Sequence, residues 1–564
     1  VGWSPNPAHE VDTTVPDNPN SSTGRSEAMP DVSRVDEDAA LIQGDEGLRS
    51  AGAPGVTDEP TDWRLLFRPA ALGLIALVSI AVGVSLPNSP FKLDMPGTWF
   101  FGVPSVTPPA NAPPADPFLG LVTVYGGLVL LGRVWYRLTV TLRTRPGVPV
   151  RYLWVVFALW VLPMLVVAPI FSRDVYSYAA QGEMMSRHIN PYHYGPFTLG
   201  AGPYVNPVDP LWLNAPAPYG PLFLMLDGFF ASASFHHVLG TVVLLRLAAL
   251  GGVVLMGLCV PRLAHAYGKD PAALFALVVC NPLTLLSLVG SAHNDALMLG
   301  LLFAGITVAK RGHPVWGIVL CALATSVKVP AALGVVYIGW EWLGPNIPWR
   351  QRIRPLVTAG LLATAVIGVV TVISGLGWGW IANLGTPGTV RSWIAPTTGV
   401  AMGITGLLHL VGLQLGLHGI LSVTRAIGFV VAAGVGLYLL INSDRFGGLW
   451  AMGLSLLAVV VLGPVVQPWY LTWGVVLLAP VAGRAMRKVL VGISVASPFI
   501  GLPGGRQLLV DLAHANPLAE AAALLALLAV WLVPVDRWSA WGRALTSHSY
   551  DGVSEEFSAH LVDG

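Results

Sequence analysis

Apolar positions along the 564-residue chain gather into blocks instead of alternating with polar ones. The blocks run at about 69–86, 118–137, 152–170, 237–260, 272–290, 296–309, 314–327, 329–345, 356–375, 423–441, 448–466, 469–483, 488–503 and 516–534. Most approach the ~20 residues that carry a helix across ~30 Å of hydrocarbon. Two further segments, 220–235 and 400–418, are apolar but interrupted by glycine and polar residues, so they either cross or lie half-inserted along a cavity. The pattern predicts an all-α, polytopic integral membrane protein with roughly 13–15 transmembrane helices.

Composition sharpens this picture. Only 11% of residues are charged against 54% hydrophobic, about half the charge of a soluble globular chain. Residues 1–63 hold 13 acidic and 3 basic side chains, a balance of −10 that leaves +11 for the rest of a chain whose net charge is +1. Apart from Trp3 this stretch is nearly free of aromatics, so it is expected to be a disordered acidic tail. It has no apolar core behind a basic start, which argues against a cleavable signal peptide and leaves targeting to the first membrane helix. Residues 64–540 are then the transmembrane domain, with an outer loop at 171–219, and 541–564 a short cytoplasmic tail. Cys259, Cys280 and Cys321 each sit in an apolar block and read as small buried hydrophobes.

Arg133, Arg137, Arg143, Arg145 and Arg151 mark the loop between the second and third blocks as cytoplasmic, which places the N-terminus inside. If 220–235 and 400–418 do not cross, carrying the charge rule forward puts the C-terminus inside as well. It puts 171–236, 291–295, the turn at 327–329, 376–399 and the turn at 466–469 on the outer face, here taken as that of the plasma membrane.

Those outer stretches hold the candidate chemistry. Phe171-Ser172-Arg173-Asp174-Val175-Tyr176-Ser177-Tyr178 follows the third block, and Ser172 or Asp174 suits a helix N-cap. In such a helix Asp174 and Tyr178 share a face. Asp174 is either a cap that satisfies backbone N–H groups or a general base whose pKa is raised at the mouth of a low-dielectric cavity. Tyr192 and Tyr219, in a loop stiffened by Pro191, Pro218 and Pro221, fit either an interfacial aromatic belt or a platform for a sugar face. His293, Asn294 and Asp295 are three consecutive polar side chains at a membrane boundary, costly there unless they face water or a site. They suit catalytic support, with Asp295 the alternative base. A metal site would need more ligands than this one cluster supplies, so no metal or other cofactor is expected. Lys328 and Arg391 are the cations that suit a lipid-linked phosphate, and Gln467, Trp469 and Tyr470 suit substrate contact. Neither a phosphate-binding G-x-x-x-x-G-K-[ST] loop nor a dinucleotide G-x-G-x-x-G motif occurs. A sugar transferred on the outer face would therefore come from a lipid phosphate, and no nucleic-acid partner is expected.

Taken in order, Phe171–Tyr178, Ala217-Pro218-Tyr219-Gly220-Pro221, His293-Asn294-Asp295-Ala296-Leu297-Met298, the Lys328 segment, Val390-Arg391-Ser392-Trp393 and Pro464-Val465-Val466-Gln467-Pro468-Trp469-Tyr470 resemble the GT-C membrane glycosyltransferases. The likeness is greatest to the actinobacterial polyprenol-phosphomannose-dependent α-1,6-mannosyltransferases of the MptA/MptB type, and to MptB in particular. The resemblance implies a GT-C architecture and an inverting transfer of mannose from polyprenyl-phosphate-mannose to a lipid-anchored mannan, as in the core of lipomannan and lipoarabinomannan. It also implies that Asp174, matching the family's first-loop aspartate, is the catalytic residue. The rival expectations are a related transferase using polyprenyl-phosphate-arabinose, a transporter or lipid-sugar flippase, and an inactive lipid-sugar binder. No internal repeat of the kind many transporters carry is visible.

Overall fold

The computed structural model describes residues 64–86, 89–91, 93, 118–414, 416–500 and 502. The acidic tail 1–63, the apolar block 516–534 and the C-terminal tail 541–564 lie outside the described residues. Within them the chain is helical, without strands. The first part comprises α1 (Arg64–Ser85), α2 (Phe118–Thr144), α3 (Val150–Val166), α4 (Asp174–Ser186), α5 (Pro221–Ala233), α6 (Val238–Ala266) and α7 (Pro271–Val278). After a π-helical turn at Thr284–Gly290 come α8 (Asp295–Lys310), α9 (Pro314–Thr325), α10 (Ala332–Glu341) and α11 (Trp349–Ser374). The last part holds α12 (Pro396–Leu410), α13 (Leu417–Ile441), α14 (Gly448–Leu462), α15 (Pro468–Leu478) and α16 (Arg484–Ala496).

Among the described residues five helices, α1, α2, α6, α11 and α13, are long and apolar enough to cross a membrane. The π turn and α8 make a sixth crossing if taken as one span bent by 114°. Other apolar blocks form helices of 10–17 residues, which rise only ~15–26 Å. Helix-breaking residues account for the shortening. The block at 272–290 is cut by Asn281-Pro282, where Asn281 accepts from the Leu283 N–H and donates to the Leu277 carbonyl and to Ser494. Pro330 forces a tight turn, Val329–Ala331, ahead of α10. The two interrupted segments, 220–235 and 400–418, become α5 with 13 residues and α12 with 15.

Loops expected on one side gather at one end of the bundle. Gly147 donates to Asp270, Lys269 to the Ala482 carbonyl, Lys310 pairs with Glu341, and Arg352 grips both oxygens of Asp444. At the opposite end the 171–219 loop meets the segments 290–295, 326–328, 376–383 and 463–470. Asn190 donates to the Leu376 carbonyl, Asn383 to the carbonyls of Tyr192 and Ala217, Gly220 to that of Val327, and Thr397 to that of Gly463.

Two glycines set how closely the helices under this end approach. A Cβ on Gly182 of α4 would lie 2.3 Å from the Asp227 carbonyl oxygen of α5. One on Gly252 of α6 would lie 2.2 Å from the Ala296 carbonyl oxygen of α8. Only hydrogen fits at either place, and the second contact sits directly beside the His293-Asn294-Asp295 turn.

Candidate active site

Two strained corners present the site. Phe171 (φ 62°) and Ala292 (φ 56°) are non-glycine residues in the left-handed region, a conformation that persists only where its surroundings enforce it. Here the enforcement comes from Arg246 of α6, buried among apolar side chains, which donates to the carbonyls of Leu165, Val167 and Gly290. Ser291 Oγ donates to the Ile170 carbonyl at 2.7 Å, closing the two corners on each other. Asp174 and His293 emerge from them side by side.

The sequence suits Ser172 or Asp174 to the N-cap of α4, and the structure gives that position to Arg173, with no side-chain cap bond. Ser172 Oγ accepts the Asp174 N–H at 3.2 Å, and Asp174 is the first helical residue. Its carboxylate caps nothing. Instead Oδ1 accepts the Trp212 indole N–H at 3.1 Å, and Oδ2 lies 3.6 Å from His293 Nδ1. Tyr178, one turn on, brings its hydroxyl to 3.4 Å from the same nitrogen. Desolvation raises the Asp174 carboxyl from its ordinary 3.8 to about 6. Lys328 and the Trp212 hydrogen bond oppose the rise, while Asp209 and Asp295 add to it.

Asp295 lies deeper and is fully buried. Lys328 Nζ donates to both its oxygens, at 2.9 and 2.8 Å, and the Trp473 indole N–H also bonds Oδ1. Lys328 is in turn roofed by aromatic rings, 4.6 Å from the Tyr470 centroid, 5.5 Å from that of Trp473 and 5.9 Å from that of Tyr219. The His293 ring stacks on Trp469 with centroids 4.0 Å apart, and Asn294 is buried beside it with its amide atoms unpartnered.

A cavity of about 1220 Å³ opens over these groups. Asp174, Tyr219, Lys328, Arg391, Gln467, Trp469 and Tyr470 line it. Tyr178, Tyr192, His293, Asn294 and Asp295 are not part of the lining: they stand behind it. Tyr178 packs edge-on against Tyr219 at 5.1 Å, and Tyr192 donates its hydroxyl to the Tyr219 carbonyl at 2.9 Å. The lining also has an apolar part: Leu333 and Val336 of α10, Phe429 of α13, and Leu456, Val459 and Val460 of α14. No group of three or more His, Cys, Asp or Glu positioned to hold a metal ion occurs among the described residues.

Sequence reasoning passed over Trp212, Trp473, Arg246 and Arg425. Arg425 of α13 donates to the carbonyls of Gly388 (2.6 Å) and Val390 (3.0 Å) and to Thr398, fixing the chain just ahead of Arg391. For the two arginines a signal was present, since a lone cation within an apolar block needs partners.

Comparison with known proteins places the chain in a family. Residues 70–344 match the family model described as alpha-(1->6)-mannopyranosyltransferase, N-terminal domain, and residues 397–532 match the MptB C-terminal domain. A probable alpha-(1->6)-mannopyranosyltransferase of Mycolicibacterium smegmatis is 34% identical over 411 residues, covering 66% of this chain and 73% of the relative. An alpha-(1->6)-mannopyranosyltransferase of Mycobacterium tuberculosis is 31% identical over 504 residues, 79% of this chain and 83% of the relative. Alpha-(1->6)-mannopyranosyltransferase B of Corynebacterium glutamicum is 33% identical over 376 residues, 62% of each chain. No solved structure matches. With matches of this extent along the chain, this polytopic membrane protein belongs to the alpha-(1->6)-mannopyranosyltransferase family.

Proposed function

We propose that the chain transfers mannose from polyprenyl-phosphate-mannose to the 6-hydroxyl of a lipid-anchored α-mannan, with inversion at the anomeric carbon. In this reading the cavity opens at the extracytoplasmic face of the plasma membrane with the N-terminus inside, which the basic residues at the other end of the bundle support. Such a step would build the core of lipomannan and lipoarabinomannan. The observation that carries the proposal is a single cavity whose lining combines charged and apolar side chains. Its lining holds a carboxyl raised to about 6 together with Arg391, Lys328 and Arg173, and also the apolar side chains of Leu333, Val336, Phe429, Leu456, Val459 and Val460. A polyprenyl phosphate-sugar has that combination of chemistry in one molecule.

In the step itself Asp174 accepts the proton of the acceptor 6-hydroxyl as its oxygen bonds the anomeric carbon. The bond from that carbon to the phosphate oxygen breaks, and polyprenyl phosphate leaves with the electron pair. A phosphate is a good leaving group, so a general base suffices, unlike the pair of carboxyl groups in glycoside hydrolysis. Arg391 holds the phosphate through its planar guanidinium, and Lys328 adds its remaining N–H, the other two being directed at Asp295. Both act most strongly as negative charge develops. His293, held by Tyr178 and Trp469, positions the base.

The test is mannose transfer by the purified chain from synthetic polyprenyl-phosphate-mannose to a short α-1,6-mannoside, with the product linkage and anomer determined by NMR. An α-1,6 product from the β-linked donor is the expected result. Transfer only from polyprenyl-phosphate-arabinose would keep the reaction class and overturn the sugar. Absence of transfer from any lipid-sugar would overturn the proposal.

The pH profile gives a second check. The base must be ionised, so kcat/KM is expected to fall as pH drops through about 6, the Asp174 value. Trp212→Phe removes a hydrogen bond that favours the carboxylate, and is expected to move this acidic limb upward. An unmoved limb would detach it from Asp174.

A further inference from the structure

Asp174, Ser177 and Gln181 follow one another at spacings of three and four, so they form one stripe along α4. All three line the cavity. Ser177 and Gln181 are 3% and 4% exposed, and Ser177 Oγ and Gln181 Oε1 have no hydrogen-bond partner. A buried polar atom without a partner costs ~1–3 kcal/mol, and two of them one turn apart on a cavity wall mark the place where a ligand's own polar groups complete the bonding.

We propose that this stripe is a track for the acceptor glycan, running from Asp174 at the reacting hydroxyl to Gln181 at the preceding sugar unit. The inference rests on the proposed mannosyl transfer and goes on to name what the site measures. The acceptor's reacting hydroxyl has to lie at the base, which fixes one end of the track. Arg173 lines the same cavity and directly precedes Asp174 at the N-cap of α4, so a donor phosphate that it helps to hold lies at the N-terminal end of the stripe. The acceptor is left the opposite direction, towards the C-terminus of α4. From Asp174 to Gln181 the helix rises ~10 Å, about the length of two hexose units. The terminal mannose then bonds Ser177, and a hydroxyl of the penultimate residue donates to Gln181 Oε1. An enzyme built this way prefers acceptors of two or more units.

The test compares methyl α-mannoside with the α-1,6-linked dimannoside and trimannoside as acceptors, using the purified full chain. For the wild type KM is expected to fall about tenfold from the monosaccharide to the disaccharide, the contribution of one satisfied buried hydrogen bond, and to change little further for the trisaccharide. Gln181→Leu, nearly isosteric, is expected to cancel that gain, leaving kcat, donor KM and the monosaccharide KM within about twofold. Ser177→Ala is expected to raise KM for all three acceptors alike. Disaccharide binding followed by tryptophan fluorescence without donor, since Trp212, Trp469 and Trp473 line the cavity, should weaken in Gln181→Leu by the same factor. A Gln181→Leu variant that keeps the disaccharide preference, or that raises donor KM instead, overturns the track while mannosyl transfer stands. A wild type that binds the dimannoside in the Gln181-dependent manner yet transfers nothing to it overturns the transfer and keeps the glycan site. A wild type that neither binds nor transfers overturns both.

Discussion

Replacing Asp174 by Asn is expected to lower kcat for mannosyl transfer by at least ~100-fold while making the protein more stable at neutral pH. The two effects have one cause. The carboxylate sits where desolvation moves its pKa from 3.8 to about 6, so the folded state binds the proton more tightly than the unfolded chain does. Stability therefore declines as pH rises between those two values, and above about 6 the folded state carries the whole cost of a poorly solvated charge, on the order of 3 kcal/mol. Asparagine keeps an oxygen for the Trp212 indole but carries no charge and abstracts no proton. Thermal unfolding in detergent should show Asp174→Asn with the higher Tm at pH 7.5 and nearly the wild-type Tm at pH 4, where the wild-type carboxyl is protonated in the folded state. Full activity in this variant would remove Asp174 from the chemistry. Lost activity together with a Tm lowered at both pH values would mean that the side chain only supports the fold.

The chain declared its class through the blocks of apolar residues, and much of the cavity through polar residues at the ends of those blocks. Asp174, Lys328, Arg391 and Gln467 belong to unrelated stretches of sequence, yet all of them line one cavity. What the blocks did not convey is where a helix stops being straight. The run 272–290 reads as one span, and Asn281-Pro282 divides it into α7 and a π turn. Nor do local patterns report which partners a side chain finds across the bundle. Lys328 and Asp295 are 33 positions apart, and their pairing depends on how α8 and the Val329–Ala331 turn cross. Trp212 is one ring among many in a loop where every ring suits an aromatic belt, so its bond to Asp174 had no separate signature. Arg246 and Arg425 were legible as anomalies, since each is a cation inside an apolar block, but the carbonyls they bind are set by tertiary contacts alone.

Because Lys328 pairs with Asp295, restoring the fold without the charge separates the structural role of the lysine from its electrostatic one. Lys328→Met leaves Asp295 as a buried carboxylate held only by the Trp473 indole, and breaking a buried pair from one side costs about 3–5 kcal/mol. The single variant is expected to express poorly or unfold early. Adding Asp295→Asn removes the stranded charge, and most of the lost stability should return, as measured by Tm against both single variants in a double-mutant cycle. The fold then no longer depends on the lysine, and activity compared with that of Asp295→Asn alone reports what its charge does for the leaving phosphate. Lys328→Met/Asp295→Asn is expected to stay at least ~100-fold below wild type in kcat, the loss typical when a preorganised charge is removed from a transition state. A double variant with wild-type kcat would reduce Lys328 to a partner for Asp295 and leave Arg391, with Arg173, as the phosphate site. The arrangement itself argues for the larger effect. A lysine needed only to neutralise Asp295 gains nothing from lining the cavity under the rings of Tyr470 and Tyr219, whereas one that must meet a departing phosphate has to be there.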